Sequence, residues 1–210
     1  MSPHVEEPRS TKLATGAAVL ATLIGHGAPD GAAGVPDCAG ADGINGMTVA
    51  WDRDADVTEK RAARCGSTAT PLAVDPGVVA RAVALLRELP RSASRTVVAH
   101  GDFNPGNVLR SARGSTRWLA IDPKARIGDP AYDPWPLLSQ IGAPFELADP
   151  AGALRERTAL VAAEVGLDAS RIAAWELALG VRSAFWSAEC GPWALAQIEL
   201  DRAYLWAALS

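Results

Sequence analysis

The amino-acid sequence predicts an α+β fold that is mostly helical and has a small β-hairpin at its centre. Two observations lead to this prediction. Residues that start and stop helices bracket most of the apolar segments, and two short runs with strand composition lie near the middle of the chain. The order of helix, strand, loop, strand and further helices therefore indicates a helical unit built around a small β element.

We predict that residues 1–70 are an irregular or divergent N-terminal region. The apolar stretch at 12–24 is interrupted by Gly and Thr and is interpreted as a possible core helix. Residues 25–47 are rich in Gly, Pro, Ala and Asp and have no sustained period, which is typical of a loop. Residues 51–65 are charged and are compatible with a weak helix.

The second predicted domain, residues 71–210, begins with a helix. Asp75 can cap this helix and Pro76 suits its first position, and Pro90 stops it. The apolar residues that fall near one face are Val79, Val83, Leu86 and Leu89.

Two strands are expected next, at 96–99 and 117–121, and they could pair as a hairpin. A Gly/Pro/Asn loop and a turn at 113–115 lie between them. If they pair in this way, the loop has to fold back to bring Asn107 toward Asp122.

Three helices are predicted after the strands. The first opens at Asp149-Pro150 and closes at Gly166, the second runs over 168–188 with a break expected near Gly180, and the third covers 193–209. Before them, Asp129-Pro130 and Asp133-Pro134 are interpreted as helix-capping pairs.

Composition excludes some classes of function. The net charge of −4 argues against sequence-independent binding to nucleic acid and is compatible with a cationic substrate. The three cysteines are widely spaced and form no disulfide framework or CxxC pair, which favours a cytoplasmic protein. Apolar runs fall short of the roughly 20 residues of a membrane span, so no membrane partner is expected.

The residues that point to chemistry are His100, Asp102, Asn107 and Asp122. Phosphoryl transfer needs a carboxylate for the acceptor hydroxyl and oxygen ligands for Mg²⁺, and these residue types supply both. Plainer interpretations exist: Asp102 as a turn residue, Asp122 as a strand terminator and His100 as a structural histidine. For Lys124, a solvated loop lysine is favoured over a phosphate ligand.

The motif HGDFNPGN at 100–107, followed by IDPK at 121–124, resembles the protein-kinase-like fold in its aminoglycoside phosphotransferase form. Together with ARIGDPAYDP it most resembles the streptomycin 6-kinase and hydroxyurea-resistance branch. The resemblance implies a kinase-like C-terminal lobe that uses ATP and Mg²⁺ to phosphorylate an alcohol group of a small molecule, most closely an aminoglycoside, and so confers antibiotic resistance. It implies that Asp102 is the catalytic residue, that Asn107 and Asp122 hold Mg²⁺, and that His100 braces the loop.

The N-terminal zone departs from this pattern. Kinases of this fold carry a β-rich N-lobe with a phosphate-binding lysine on a strand, whereas Lys12 and Lys60 precede the motif outside any strand-like run. We therefore expect most of the N-lobe to be missing. The alternative function is a catalytically silent, truncated kinase lobe with weak or no nucleotide binding. A metal-dependent phosphoesterase built on His100 and Asp102 is disfavoured, because the sequence lacks the further His and Asp ligands that such sites use.

Overall fold

The computed structural model of the chain describes residues 9–24, 43–67, 72–111 and 118–210, and within these ranges it is mostly helical. The helices are α1 Arg9–Ile24, α2 Gly43–Ser67, α3 Pro76–Glu88, α4 Trp135–Gln140, α5 Pro150–Val165, α6 Ala169–Cys190 and α7 Trp193–Ala207. The strands are β1 Val97–Ala99, β2 Val108–Arg110, β3 Trp118–Ala120 and β4 Arg126–Gly128. The α+β class with a predominance of helix is confirmed.

The pairing of the strands differs from the single hairpin expected between 96–99 and 117–121. In the structure β1 pairs antiparallel with β4, and β2 pairs antiparallel with β3, so the described part of the chain forms two small sheets. Strands β2 and β4 each have three residues and directly follow a loop, so no alternating pattern marks them in the sequence. The turn predicted at 113–115 lies outside the described residues.

The predicted helix boundaries near residues 75, 150 and 168 are confirmed. The Asp75 side chain accepts hydrogen bonds from the backbone N–H groups of residues 77 and 78, and Asp149 and Asp168 cap α5 and α6 in the same way. Helix α5 ends at Gly166, whose φ of 68° is the left-handed conformation that glycine adopts most easily.

Helix α6 is continuous, so the break expected near Gly180 is wrong. Gly180 lies where α6 meets α7, and a Cβ atom added there would lie 2.9 Å from the Cβ of Ala203. The glycine therefore lets the two helix backbones approach each other, and the packing outweighs its low helix propensity.

Helices α1 and α2 contribute to the core rather than standing apart from it. Leu13, Leu20 and Trp51 are buried, α1 packs against α5, and α2 packs against α3 and α6. Residues 43–47, which were expected to form a loop, instead begin α2. Helix formation is cooperative, so a helix stabilised by burial can extend into neighbouring residues of low helix propensity. Residues 25–42 of that expected loop are outside the described ranges.

Among the described residues, no helix has the length and apolar character needed to cross a membrane.

Candidate active site

The register of the two sheets brings two loops together. One loop joins β1 to β2 over 100–107, and the other joins β3 to β4 over 121–125. The residues that bracket these loops are paired, Ala99 with Arg126 and Val108 with Ala120, so both loops leave the sheets side by side. The first loop was expected to fold back only if 96–99 and 117–121 paired as one hairpin; the observed strand pairing brings the two loops together in a different way.

Asn107 is the point at which the two loops are joined by backbone. Its carbonyl oxygen accepts a hydrogen bond of 2.9 Å from the N–H of Ile121, the residue before Asp122. Its side-chain Nδ2 donates to the backbone carbonyl of Asp102 at 2.8 Å. The amide is thereby oriented with Nδ2 toward the loop, and its Oδ1 remains an acceptor for which the described residues supply no donor.

Asp102 is half-buried, and each of its carboxylate oxygens has a partner. Oδ1 accepts from Asn104 Nδ2 at 3.1 Å, and Oδ2 lies 2.6 Å from the ammonium of Lys124. The hydrogen bond from Lys124, and next that from Asn104, lowers the pKa of Asp102. The hydrogen bond between Lys124 and Asp102 also raises the pKa of Lys124. Asp102 is thus held as a carboxylate. Lys124 lies in a loop and its side chain is 68% exposed, as expected of a solvated loop lysine, but it also forms an ion pair with Asp102.

Asp122 is exposed and has a φ of 55°, a conformation that Asp adopts more readily than most residues. The described residues contain no group of three or more His, Cys, Asp or Glu side chains suited to a metal. A cation bound near Asp122 would therefore need the amide oxygen of Asn107 as a ligand in addition to carboxylate oxygens. Carboxylate and amide oxygens are the ligands Mg²⁺ prefers, so the donor chemistry of Asn107 and Asp122 fits that ion.

His100 is 6% exposed and contacts both loops. Its Nε2 lies 3.0 Å from the carbonyl oxygen of Ile121, and its Nδ1 accepts a long hydrogen bond of 3.4 Å from the N–H of Asp102. Its ring packs edge-on against Phe103, with centroids 5.4 Å apart. These contacts use both ring nitrogens within the protein, which suits a brace better than a proton carrier.

Asp133 is a site residue that sequence reasoning missed, because Asp133-Pro134 was interpreted as a helix cap. Its buried carboxylate instead accepts from the backbone N–H of His100 at 2.6 Å and of Gly101 at 2.8 Å. Burial raises the pKa of Asp133, while these two hydrogen bonds act in the opposite direction. The signal available in the sequence was the run DPAYDP, which carries two aspartates where one cap would suffice.

The two loops also pack against each other at Gly101. This residue has a φ of 77°, and a Cβ atom there would overlap the backbone carbonyl of Lys124. Glycine is therefore required by both the conformation and the contact.

Comparison with known proteins agrees with the geometry. A family model described as aminoglycoside/hydroxyurea antibiotic resistance kinase matches residues 52–191. The match begins inside α2, so it includes residues 52–66, which lie in the region predicted to be irregular or divergent. No solved structure gives a significant match to the chain.

Three relatives illustrate the similarity. A hydroxyurea phosphotransferase of Kitasatospora aureofaciens is 32% identical over 95% of this chain and 51% of its own length. A streptomycin 6-kinase of Streptomyces griseus is 36% identical over 49% of this chain and 33% of its own length. A streptomycin 3''-kinase of Klebsiella pneumoniae is 33% identical over 55% of this chain and 44% of its own length.

The chain spans about half the length, or less, of these curated relatives. The family model nevertheless covers most of the chain, including both loops of the candidate site. The chain therefore belongs to the aminoglycoside/hydroxyurea antibiotic resistance kinases, in the branch that contains the hydroxyurea phosphotransferase and the streptomycin 6-kinases.

Proposed function

We propose that this chain contains the phosphoryl-transfer site of an ATP-dependent kinase that acts on an alcohol group of a small molecule. The favoured acceptor is an aminoglycoside such as streptomycin. In this proposal residues 71–210 are a kinase-like C-terminal lobe. The observation that carries the proposal is the pairing of the two loops, which gathers Asp102, Asn107 and Lys124 around contacts of 2.6 to 2.8 Å.

Asp102 is assigned to the acceptor hydroxyl. Its carboxylate accepts the hydroxyl hydrogen bond and takes the proton as the hydroxyl oxygen forms its bond to the γ-phosphorus. The bond from that phosphorus to the ADP oxygen breaks in the same transfer. A carboxylate with a lowered pKa is a weak base, so its main contribution is to orient the hydroxyl, with the proton moving late.

Asn107 and Asp122 are the residues that would hold Mg²⁺, which would supply positive charge to offset that of the phosphate. Asn107 suits this role because its Nδ2 is held by the Asp102 carbonyl, leaving Oδ1 for a ligand. Asp122 follows directly on the residue that donates to Asn107. His100 and Asp133 do not touch substrate in this scheme; they fix the loop that carries Asp102.

The names of the relatives give two candidates for the acceptor. Their names include streptomycin, which is a cationic aminoglycoside, and hydroxyurea, which is uncharged. The net charge of −4 favours the cationic acceptor through long-range attraction. We therefore place streptomycin before hydroxyurea, and a comparison of the two acceptors tests this order.

The experiment is calorimetry of the purified chain with Mg·ATP, together with phosphorylation assays on streptomycin and on hydroxyurea. The Asp102→Asn variant should lose transfer by roughly 10²–10⁴-fold, the range expected for a positioned acid–base group. Asp149→Asn is the matched control, because Asn caps a helix as well as Asp and residue 149 caps α5.

Transfer by Asp102→Asn at the parent rate would refute the assignment of Asp102. If the parent chain neither binds Mg·ATP nor phosphorylates an acceptor, the alternative of a silent lobe is favoured instead.

A further inference from the structure

We propose that Lys124 is the cation that meets the transferring phosphoryl group, and that its ion pair with Asp102 holds it at the site when no phosphate is bound. This inference rests on the proposed kinase function and deepens it. It assigns a role in the reaction to Lys124, for which the IDPK motif alone indicates none.

The position of Lys124 combines a closely packed backbone with an exposed side chain. Its carbonyl oxygen lies against Gly101, at the start of the loop that carries Asp102. Its side chain is 68% exposed, and its ammonium contacts Asp102 Oδ2 at 2.6 Å. The root of the side chain is therefore held beside the catalytic loop, while its four-carbon stem can carry the charge over several ångströms.

The charges at the site require such a cation. In the proposed function, Asp102 and Asp122 place two carboxylates around an incoming phosphate that is itself negative. Asp122 would face the phosphate through Mg²⁺, whereas Asp102 would face it directly. An ammonium beside Asp102 removes that repulsion where the acceptor hydroxyl and the phosphoryl group meet.

Another nearby cation is held elsewhere. Arg126, which begins β4, has its guanidinium over the rings of Trp51 and Tyr132, at 5.7 and 5.9 Å from their centroids. These contacts direct it toward α2 and away from the role we give to Lys124.

The resting ion pair also explains how Asp102 becomes available. With Lys124 on Oδ2 and Asn104 on Oδ1, the acceptor hydroxyl has to compete for an oxygen of Asp102. When phosphate draws the ammonium toward itself, Oδ2 is released to the hydroxyl. The arrival of the donor phosphate and the readiness of Asp102 are thus coupled through one side chain.

The test compares the binding of Mg·ATP with that of Mg·ADP by calorimetry, because the two ligands differ in the γ-phosphate alone. The proteins are the parent chain, Lys124→Ala, Lys124→Gln, Lys124→Arg and the control Lys60→Ala, whose lysine is exposed on α2. Circular dichroism melting verifies that each variant is folded.

Both neutral variants should bind Mg·ATP about 10- to 100-fold more weakly than the parent, as expected for the loss of a charge-assisted hydrogen bond, with Mg·ADP affinity within about twofold. Lys124→Arg should recover most of the preference for ATP, and Lys60→Ala should match the parent. In the streptomycin assay, the neutral variants should lower kcat and leave the KM for streptomycin unchanged.

An equal loss of ATP and ADP binding would show that Lys124 only supports the fold of the site, and would overturn the inference. Unchanged binding of both nucleotides by the neutral variants would overturn it as well while leaving the proposed function intact. A parent chain that binds no Mg·ATP would overturn the proposed function, and this inference with it.

Discussion

Among the individual residues, Gly101 and Asp122 determine where the two loops of the candidate site turn. Both have positive φ angles, 77° and 55°. Gly101 carries an additional constraint, because it contacts the carbonyl of Lys124. Gly166 at the end of α5 has a similar φ of 68° and no atom within 4 Å of where a Cβ would lie. The two glycines therefore separate the effect of backbone conformation from the effect of close contact.

We predict that Gly101→Ala destabilises the chain more than Gly166→Ala does. The left-handed conformation costs alanine roughly 1–2 kcal/mol at either position. At residue 101 the new methyl group must also displace the Lys124 backbone, which adds roughly 1–3 kcal/mol. Urea unfolding of the two variants measures the difference, and equal losses of stability would show that the loops are not in contact at this point.

Glu176 is a second residue whose environment has a measurable consequence. It lies in α6 with 1% exposure, and neither carboxylate oxygen has a hydrogen-bond partner among the described residues. Burial raises the pKa of Glu176 well above its ordinary value, because the charged form is poorly solvated there. The folded protein therefore binds a proton at this site at a pH where the unfolded chain has released it.

The contribution of Glu176 to stability should accordingly fall as the pH rises above about 4, since at this site the unfolded state then binds fewer protons than the folded state. Glu176→Gln removes this dependence and should raise the free energy of unfolding at pH 7, with a smaller effect near pH 4. Urea unfolding of both proteins between pH 4 and pH 8 measures it. A parallel pH dependence in the two proteins would contradict the assignment to Glu176.

Among the secondary-structure elements, those with strong local signals were predictable from the sequence. The caps at Asp75, Asp149 and Asp168 fixed three helix starts because each supplies a side-chain acceptor to the first turn. The pairing of the strands was not predictable, because register in three-residue strands is set by the loops and by distant packing.

The candidate site divides in the same way. Asp102, Asn107 and Asp122 could be proposed from spacing and resemblance, since their motif is local. The contacts of Lys124 and Asp133 depend on residues 22 and 33 positions away, Asp102 and His100, and no local pattern encodes them. The continuity of α6 through Gly180 was missed for the same reason, because the glycine is explained by its contact with Ala203 of α7 and not by the sequence of α6.

We predict that Gly180→Ala destabilises the pair α6–α7 although alanine favours a helix by about 1 kcal/mol over glycine. The added methyl group would meet the Cβ of Ala203 at 2.9 Å, which forces the helices apart. The matched test is a double-mutant cycle with Ala203→Gly, which removes the opposing methyl group.

In that cycle, Gly180→Ala should be tolerated in the Ala203→Gly background, with a coupling of roughly 0.5–3 kcal/mol in thermal or urea unfolding. Additive effects of the two substitutions would show that the helices do not meet at this contact.

At the scale of the whole molecule, a buried ion pair among the described residues joins the sheet of β1 and β4 to the helices. Asp129 follows β4, and its Oδ2 accepts from Trp175 Nε1 and from Arg171 Nε, both at 2.7 Å, on α6. Arg171 also donates to the carbonyl of Leu89 at 2.6 Å, at the end of α3. The candidate site is thereby fixed to the helical core through the residue that follows β4.

The last prediction is that Asp129→Asn lowers the free energy of unfolding by roughly 3–5 kcal/mol, the range for removing one partner of a buried ion pair. The Asp129 side chain is 3% exposed and that of Arg171 is 22% exposed, so loss of the carboxylate leaves a guanidinium that water only partly reaches. Asp56→Asn is the matched control, because its pair with Arg87 is exposed at 57% and 38% and should change stability by less than about 1 kcal/mol.

Both variants make the same chemical change, so the difference between their urea unfolding curves reports burial and partners rather than the loss of a charge. A cost for Asp129→Asn no greater than that for Asp56→Asn would show that the Trp175 and Arg171 contacts do not hold β4 to α6. Because β4 pairs with β1, which leads directly into the loop that carries Asp102, such a result would also weaken the case that this loop of the candidate site is fixed to the helices.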